Sequence, residues 1–150
     1  MKLFVSLILV ISSTNYLHAQ NIEAAETFLK SGQPMDAKKE IDAVMSLQKY
    51  QQNPDAFYAK AKIYNAIAWD PALSGQFAGA RMTAFQALKK YTEIDDKMLA
   101  ALQTDGYKPI NEIYRGFYQT AANRFNSQQY KEALEEFTNA ISVSTFMTQK

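Results

Sequence analysis

Few residues in this 150-residue chain could do covalent or acid–base chemistry. Cysteine is absent, and the one histidine, His18, lies in an N-terminal stretch that reads as an export signal. The remaining chain therefore lacks both the usual general base near neutral pH and the strongest common nucleophile. Carboxylates and lysines are left. Asp95-Asp96 and Glu135-Glu136 are adjacent in sequence, and neighbours on a helix point about 100° apart, so both pairs read as solvated surface rather than shared sites. Lys131 and Glu135, four apart, read as a weak exposed ion pair. Zinc would need Cys or His ligands, calcium would need alternating oxygen ligands about a glycine, and a phosphate cradle would need a glycine-rich turn. None of these patterns occurs. The expectation is a chain with no catalytic residue, no metal and no cofactor, hence not an enzyme.

What remains as a signal is aromatic: one Trp, nine Tyr and nine Phe. Such side chains either fill a core or grip a partner, and the elements that carry them decide which. With 47% hydrophobic and 21% charged residues, the chain has the make-up of one folded domain.

The N-terminus stands apart. Met1-Lys2 gives a positive start, Leu3 to Ile11 is apolar apart from Ser6, Ser12 to Asn15 is polar, and Leu17-His18-Ala19 precedes Gln20. This is the layout of a secretory signal peptide over residues 1–19, and its apolar run is about half of the roughly 20 residues a membrane-spanning helix needs. The Ala19-Gln20 junction resembles export signals of Bacteroidota. Without residues 1–19, 15 basic residues balance 15 acidic ones, which excludes a field strong enough to attract nucleic acid or an anionic membrane. No cysteine is present to carry a lipid anchor. The mature chain is expected in the periplasm or secreted, without a membrane span.

Beyond the signal the periodicity is helical. Ile22, Ala25, Phe28 and Leu29 share one face, Ser31-Gly32 ends that helix, and Pro34 opens a second with Ala37, Ile41, Val44 and Leu47 inside. Asn53-Pro54 repeats the start signal ahead of Phe57, Ala61 and Tyr64. Near the C-terminus Ile110, Ile113, Tyr114, Phe117, Ala121 and Phe125 form one stripe, residues 126–129 a polar turn, and Tyr130, Ala133, Leu134, Phe137, Ala140 and Ile141 another.

Phe117, Ala121 and Phe125, followed by Tyr130-Lys131-Glu132-Ala133 and then Phe137 and Ala140, resemble the tetratricopeptide-repeat pattern. Ala25, Phe28, Gly32, Ala37, Ile41 and Val44 hold the corresponding places in a first unit. Ala56-Phe57-Tyr58, Ala61, Tyr64, Ala80, Ala84 and Ala87 hold them in a middle one. Ala25 to Ala37 and Ala121 to Ala133 are both 12 apart, as in the family; Ala61 to Ala80 is 19, with the surplus in a loop at 68–76 that includes Trp69. Trp69 is read as packing that loop onto the hairpin. A linker over 92–109, with one or two helical turns about Met98 to Leu102, precedes the last unit. The resemblance covers residues 21–144. It implies an all-α fold, a right-handed α-solenoid of antiparallel helix pairs with repeats at about 21–49, 53–92 and 110–145, in one domain over residues 20–150.

By the family's pattern, Phe28, Phe57, Tyr64, Phe117 and Phe137 pack between helices, whereas the inner groove is lined by Glu26 and Lys30, then Tyr58, Lys62 and Asn65, then Arg115, Tyr118, Ala122 and Asn126. The candidate ligand-binding residues are Tyr58, Lys62, Asn65, Arg115, Tyr118 and Asn126, with Tyr and Arg offering large contact area. Ile22 and Glu26 stand where some relatives grip a peptide's C-terminal carboxylate, so that speciality is not expected. The resemblance implies a non-enzymatic scaffold of the bacterial envelope that binds a protein or peptide. A carbohydrate-binding role in glycan uptake, using Trp69, Tyr58 and Tyr118, and a place as the N-terminal part of a larger assembly protein are the alternatives. The tail from Ser142 to Met147 supplies no polar capping helix. An apolar end face is expected there, met by further repeats, self-association or a partner.

Overall fold

The computed structural model describes residues 21–94, 96–104 and 106–148; the signal-peptide expectation at residues 1–19 and the Asp95-Asp96 pair fall outside them in whole or in part. The described chain is all-helical. In order come α1 (Ile22–Lys30), α2 (Pro34–Ser46), a 3₁₀ turn (Gln48–Tyr50), α3 (Pro54–Trp69), α4 (Ala80–Ile94), α5 (Asp96–Thr104), α6 (Lys108–Asn126) and α7 (Tyr130–Thr148).

Local chemistry sets these boundaries. Asn21 and Asn53 cap α1 and α3, their side-chain oxygens accepting from the N–H groups of Ala24 (2.6 Å) and Ala56 (3.0 Å). Pro34 and Pro54 sit where a helix has no use for the missing N–H. The turns after α1 and α6 have the same construction. Gly32 and Gln33 donate to Leu29 O (3.1 Å) and Phe28 O (2.9 Å), and Gln128 and Gln129 donate to Phe125 O (3.0 Å) and Arg124 O (2.9 Å). Both turns need a left-handed residue, met by Gly32 (φ 71°) in the first and by Gln128 (φ 62°) in the second.

Helices pair as α1 with α2, α3 with α4, and α6 with α7; α3 also packs on both α1 and α2, and α6 on both α3 and α4. Two cores follow. One, between the first and second pairs, contains Ala25, Ala37, Ile41, Val44, Ala56, Ala59, Ile63 and Ile67. The other, between the second and third, contains Ala61, Ala84, Phe85, Leu88, Leu102, Ile110, Ile113, Phe117 and Val143. Half of the buried apolar positions among the described residues are alanine, which lets helix axes approach closely while isoleucines and aromatics fill the spaces between. Full burial of a side chain such as Ile41, Ile63 or Ile113 is worth about 1.5–3 kcal/mol.

Two boundaries and one burial pattern differ from the sequence expectation. The helix runs through Ala68 and Trp69, and the loop occupies residues 70–79 rather than 68–76. Pro71 holds Asp70 in the extended region (ψ 118°), so the helix ends one residue before it, and the loop is anchored by Leu73 and Phe77 in the first core. The expected linker 92–109 is mostly helix: α4 continues to Ile94, and α5 is held by Leu102, which is 1% exposed. Finally, Phe125, Tyr130, Leu134 and Ile141, which helical periodicity would place inside, are exposed. Among the described residues no element lies beyond the outer side of α7 to cover them.

At the junction of α2 and α3, the Tyr64 hydroxyl donates to Asp42 (2.8 Å to Oδ1, 2.9 Å to Oδ2), and Lys38 donates to the same carboxylate at 2.8 Å. Burial, reinforced by the bond to Asp42, pushes the Tyr64 phenol up to about 12. The proton is thus held more tightly in the folded than in the unfolded chain, where tyrosine titrates near 10. The contribution is present below pH 10 and is lost as pH rises from 10 to 12. Melting temperature should fall across that interval, and should fall less in Tyr64→Phe than in the unaltered chain. Separately, Gln128→Gly should raise stability by about 1 kcal/mol in chemical unfolding, because an L-residue in the left-handed region costs roughly that much.

Candidate functional site

One face of α3 presents Tyr58, Lys62, Asn65 and Trp69 at intervals of four, three and four residues, a row about 16 Å long. Opposite them stand Lys108, Pro109, Glu112 and Ile113 from the start of α6, with Leu88 of α4 below. Together they enclose a cleft of about 380 Å³.

Polar ties hold its walls. Lys62 forms an ion pair with Glu26 of α1, and its ammonium lies 4.8 Å from the centre of the Tyr58 ring. Tyr58 in turn stacks on Tyr91 of α4 at 5.0 Å. The Asn65 amide nitrogen donates to Glu112 at 3.1 Å, joining α3 to α6. Because a carboxylate only accepts, that bond fixes the orientation of the amide. Asn65 is 7% exposed, and its Oδ1 has no hydrogen-bond partner among the described residues. A buried acceptor left in this way costs about 1–3 kcal/mol, which an N–H or O–H donor would recover.

Trp69 closes the far end of the cleft at 40% exposure, half-exposed at a helix end rather than buried in a loop. It is held there by Arg81 of α4, whose guanidinium carbon lies 5.3 Å from the Trp69 ring and 5.7 Å from the Phe117 ring. The same guanidinium donates to the Ala68 carbonyl (3.0 Å) and the Thr120 hydroxyl (3.1 Å), so one cation ties α4 to the end of α3 and the middle of α6. Burial pulls the Arg81 pKa below its ordinary value, opposed by the negative charge of Glu136. Gly116 makes room for this arrangement. A Cβ there would stand 2.2 Å from Arg81 Nε and 2.6 Å from Cζ.

Of the residues named from sequence, Tyr58, Lys62 and Asn65 come together in the cleft, while Arg115, Tyr118 and Asn126 do not join them. Register accounts for Asn126: Trp69, the last residue of α3, and Phe117 of α6 both pack on Arg81, so residues of α6 well beyond 117 run past the end of α3. Arg115 and Asn126 are exposed, and Tyr118 stacks on Tyr114 (6.2 Å) and meets Phe137 edge-on (5.6 Å). Sequence reasoning missed Lys108, Glu112 and Arg81. The first two belong to the expected linker and the start of α6, where repeat spacing gives no groove position. Arg81 left one faint mark, the interior glycine Gly116 in an otherwise good helix.

No protein-family model, no curated protein and no solved structure matches the chain.

Gly116→Ala should destabilise the chain by about 1–3 kcal/mol in chemical unfolding and shift Trp69 emission, because the methyl group displaces Arg81 from between its aromatic neighbours. In an Arg81→Ala background the same change should instead stabilise by about 0.8–1 kcal/mol, the ordinary preference of a helix for alanine over glycine.

Proposed function

We propose that this chain is an exported, non-enzymatic scaffold of tetratricopeptide-repeat type that binds a protein or peptide segment in the cleft between α3 and α6. The observation that carries this reading is the row Tyr58, Lys62, Asn65 and Trp69: a continuous strip of aromatic and hydrogen-bonding groups on a rigid helix, facing Lys108 and Glu112. The charges there are balanced, Lys62 being matched by Glu26, as suits a neutral chain of mixed polarity more than a polyanion.

The repeat reading is supported by the common construction of the turns after α1 and α6, by the equal spacing of Ala25 to Ala37 and Ala121 to Ala133, and by each new first helix packing on both helices of the preceding pair. The bacterial envelope location rests on the layout of residues 1–19.

A second reading, oligosaccharide binding, is favoured by one observation: a half-exposed tryptophan beside the amide of Asn65 and the carboxylate of Glu112 offers a ring to stack on and hydrogen bonds at its edge. Trp69 is the sole tryptophan, so its emission reports on the cleft directly.

Affinity capture from bacterial envelope extracts should retain a protein that a Tyr58→Ala, Trp69→Ala variant loses and that Tyr118→Ala keeps. Equal retention by all three chains would remove the cleft from the mechanism. Quenching of Trp69 by oligosaccharides, with no protein captured, would replace the first reading by the second.

A further inference from the structure

The row on α3 does not stop at the cleft. Asp55 stands three residues before Tyr58, so Asp55, Tyr58, Lys62, Asn65 and Trp69 recur at three, four, three and four and share one face of the helix. Beyond Tyr58, toward the start of α3, that face opens into a second hollow of about 290 Å³, which Asp55 and Tyr58 line together with Ile22, Glu23 and Glu26 of α1. Tyr58 belongs to both hollows and joins them into one groove.

The two halves of the groove differ in charge. In the cleft, Lys62 and Lys108 stand with Glu112, and Lys62 is matched by Glu26 across the boundary. The hollow is lined by three carboxylates and no cation. Lys62 accounts for one of them, whereas Glu23 and Asp55 are exposed and have no ion pair among the described residues. First-turn acids suit the positive ends of α1 and α3, but that local preference does not require the two to share a hollow with Glu26. Nor are they placed around a metal ion: no group of three or more Asp, Glu, His or Cys among the described residues could hold one. A cation suited to this hollow is an ammonium or guanidinium that carries its own N–H donors. The middle of the groove needs a different group. Asn65, 7% exposed, has Oδ1 without a donor because its amide nitrogen is engaged with Glu112.

We infer that the groove takes an extended peptide segment of about seven residues, laid along α3 with a lysine or arginine among Glu23, Glu26 and Asp55 and an apolar or aromatic side chain against Trp69. This rests on the cleft reading proposed above and adds the direction of charge along it. The length follows from the helix: Asp55 and Trp69 are 14 residues apart, about 21 Å at 1.5 Å per residue, and an extended chain rising about 3.3 Å per residue covers that distance in about seven. Backbone N–H groups of the segment are donors of the kind that Asn65 lacks. Other occupants leave part of the groove unmatched. A neutral oligosaccharide does not compensate the charge of the hollow, and an acidic segment is repelled by it.

A random seven-residue peptide library displayed on phage and panned against the purified chain should return peptides with Lys or Arg at one end and Leu, Phe, Tyr or Trp at the other. A synthetic copy should shift Trp69 emission. Glu23→Gln combined with Asp55→Asn should weaken that copy about tenfold at low salt and less at high salt. Glu23→Lys combined with Asp55→Lys should exchange the basic end for Asp or Glu in the peptides recovered. Both positions are exposed, so helical circular dichroism should stay unchanged in each variant. Peptides without the basic end, or with it still present on the charge-reversed chain, would overturn this inference; loss of those peptides from the Tyr58→Ala, Trp69→Ala variant would then leave the cleft reading standing. Peptides that this variant retains, or no peptide at all, would overturn both.

Discussion

A pair of short helices has one greasy side and nothing of its own to put over it; everything in this molecule follows from that shortage. Neither core is contained within one pair. Each is made by two pairs in contact, and α3 serves both, giving Ile63 and Ile67 to one side and Ala61 to the other, with Tyr64 touching both. A helix buried on two sides cannot be amphipathic, and α3 accordingly carries apolar residues around most of its circumference. Part of what stays accessible is the side of the helix from Tyr58 to Trp69 that lines the cleft. The candidate site is built on a helix that packing has already fixed on two sides.

That origin also explains how the cleft is built. Its walls are not loops but helices joined by Glu26 to Lys62, Asn65 to Glu112, and Arg81 to both Ala68 and Thr120. Arg81 is the most demanding of these ties, a cation withdrawn from water between Trp69 and Phe117. Its aromatic faces and two hydrogen bonds offset part of the desolvation, Nε staying without a partner among the described residues, and the helix opposite gives up a side chain at Gly116 to admit it.

Much of this architecture can be read from the residues. Asn53-Pro54, Pro34, Ser31-Gly32 and the recurring alanines mark helix starts, stops and close approaches, because those depend on interactions within a few residues. Half of the site is legible for the same reason: Tyr58, Lys62 and Asn65 lie on a helix whose orientation the buried stripe already sets. The other half depends on how far α6 slides along α3. Contacts distant in sequence, Asn65 with Glu112 and Arg81 beside Gly116, decide that register, and repeat spacing alone does not show that Arg115, Tyr118 and Asn126 stand apart from this cleft. Exposure on α7 escapes periodicity altogether, since a stripe of Leu and Ile looks the same whether or not a neighbour exists.

The sharing of α3 also orders the molecule in time. A polypeptide made from its N-terminus has every member of the first core in hand once Ala80 has emerged, so α3 can begin to close on the first helix pair before the rest of α4 is made. The far side of α3 must then wait, bare, until Ile110, Phe117 and at last Val143 arrive. Until that moment the strip that will become the cleft floor borders an open apolar surface, and the newborn protein is a different, stickier object from the finished one.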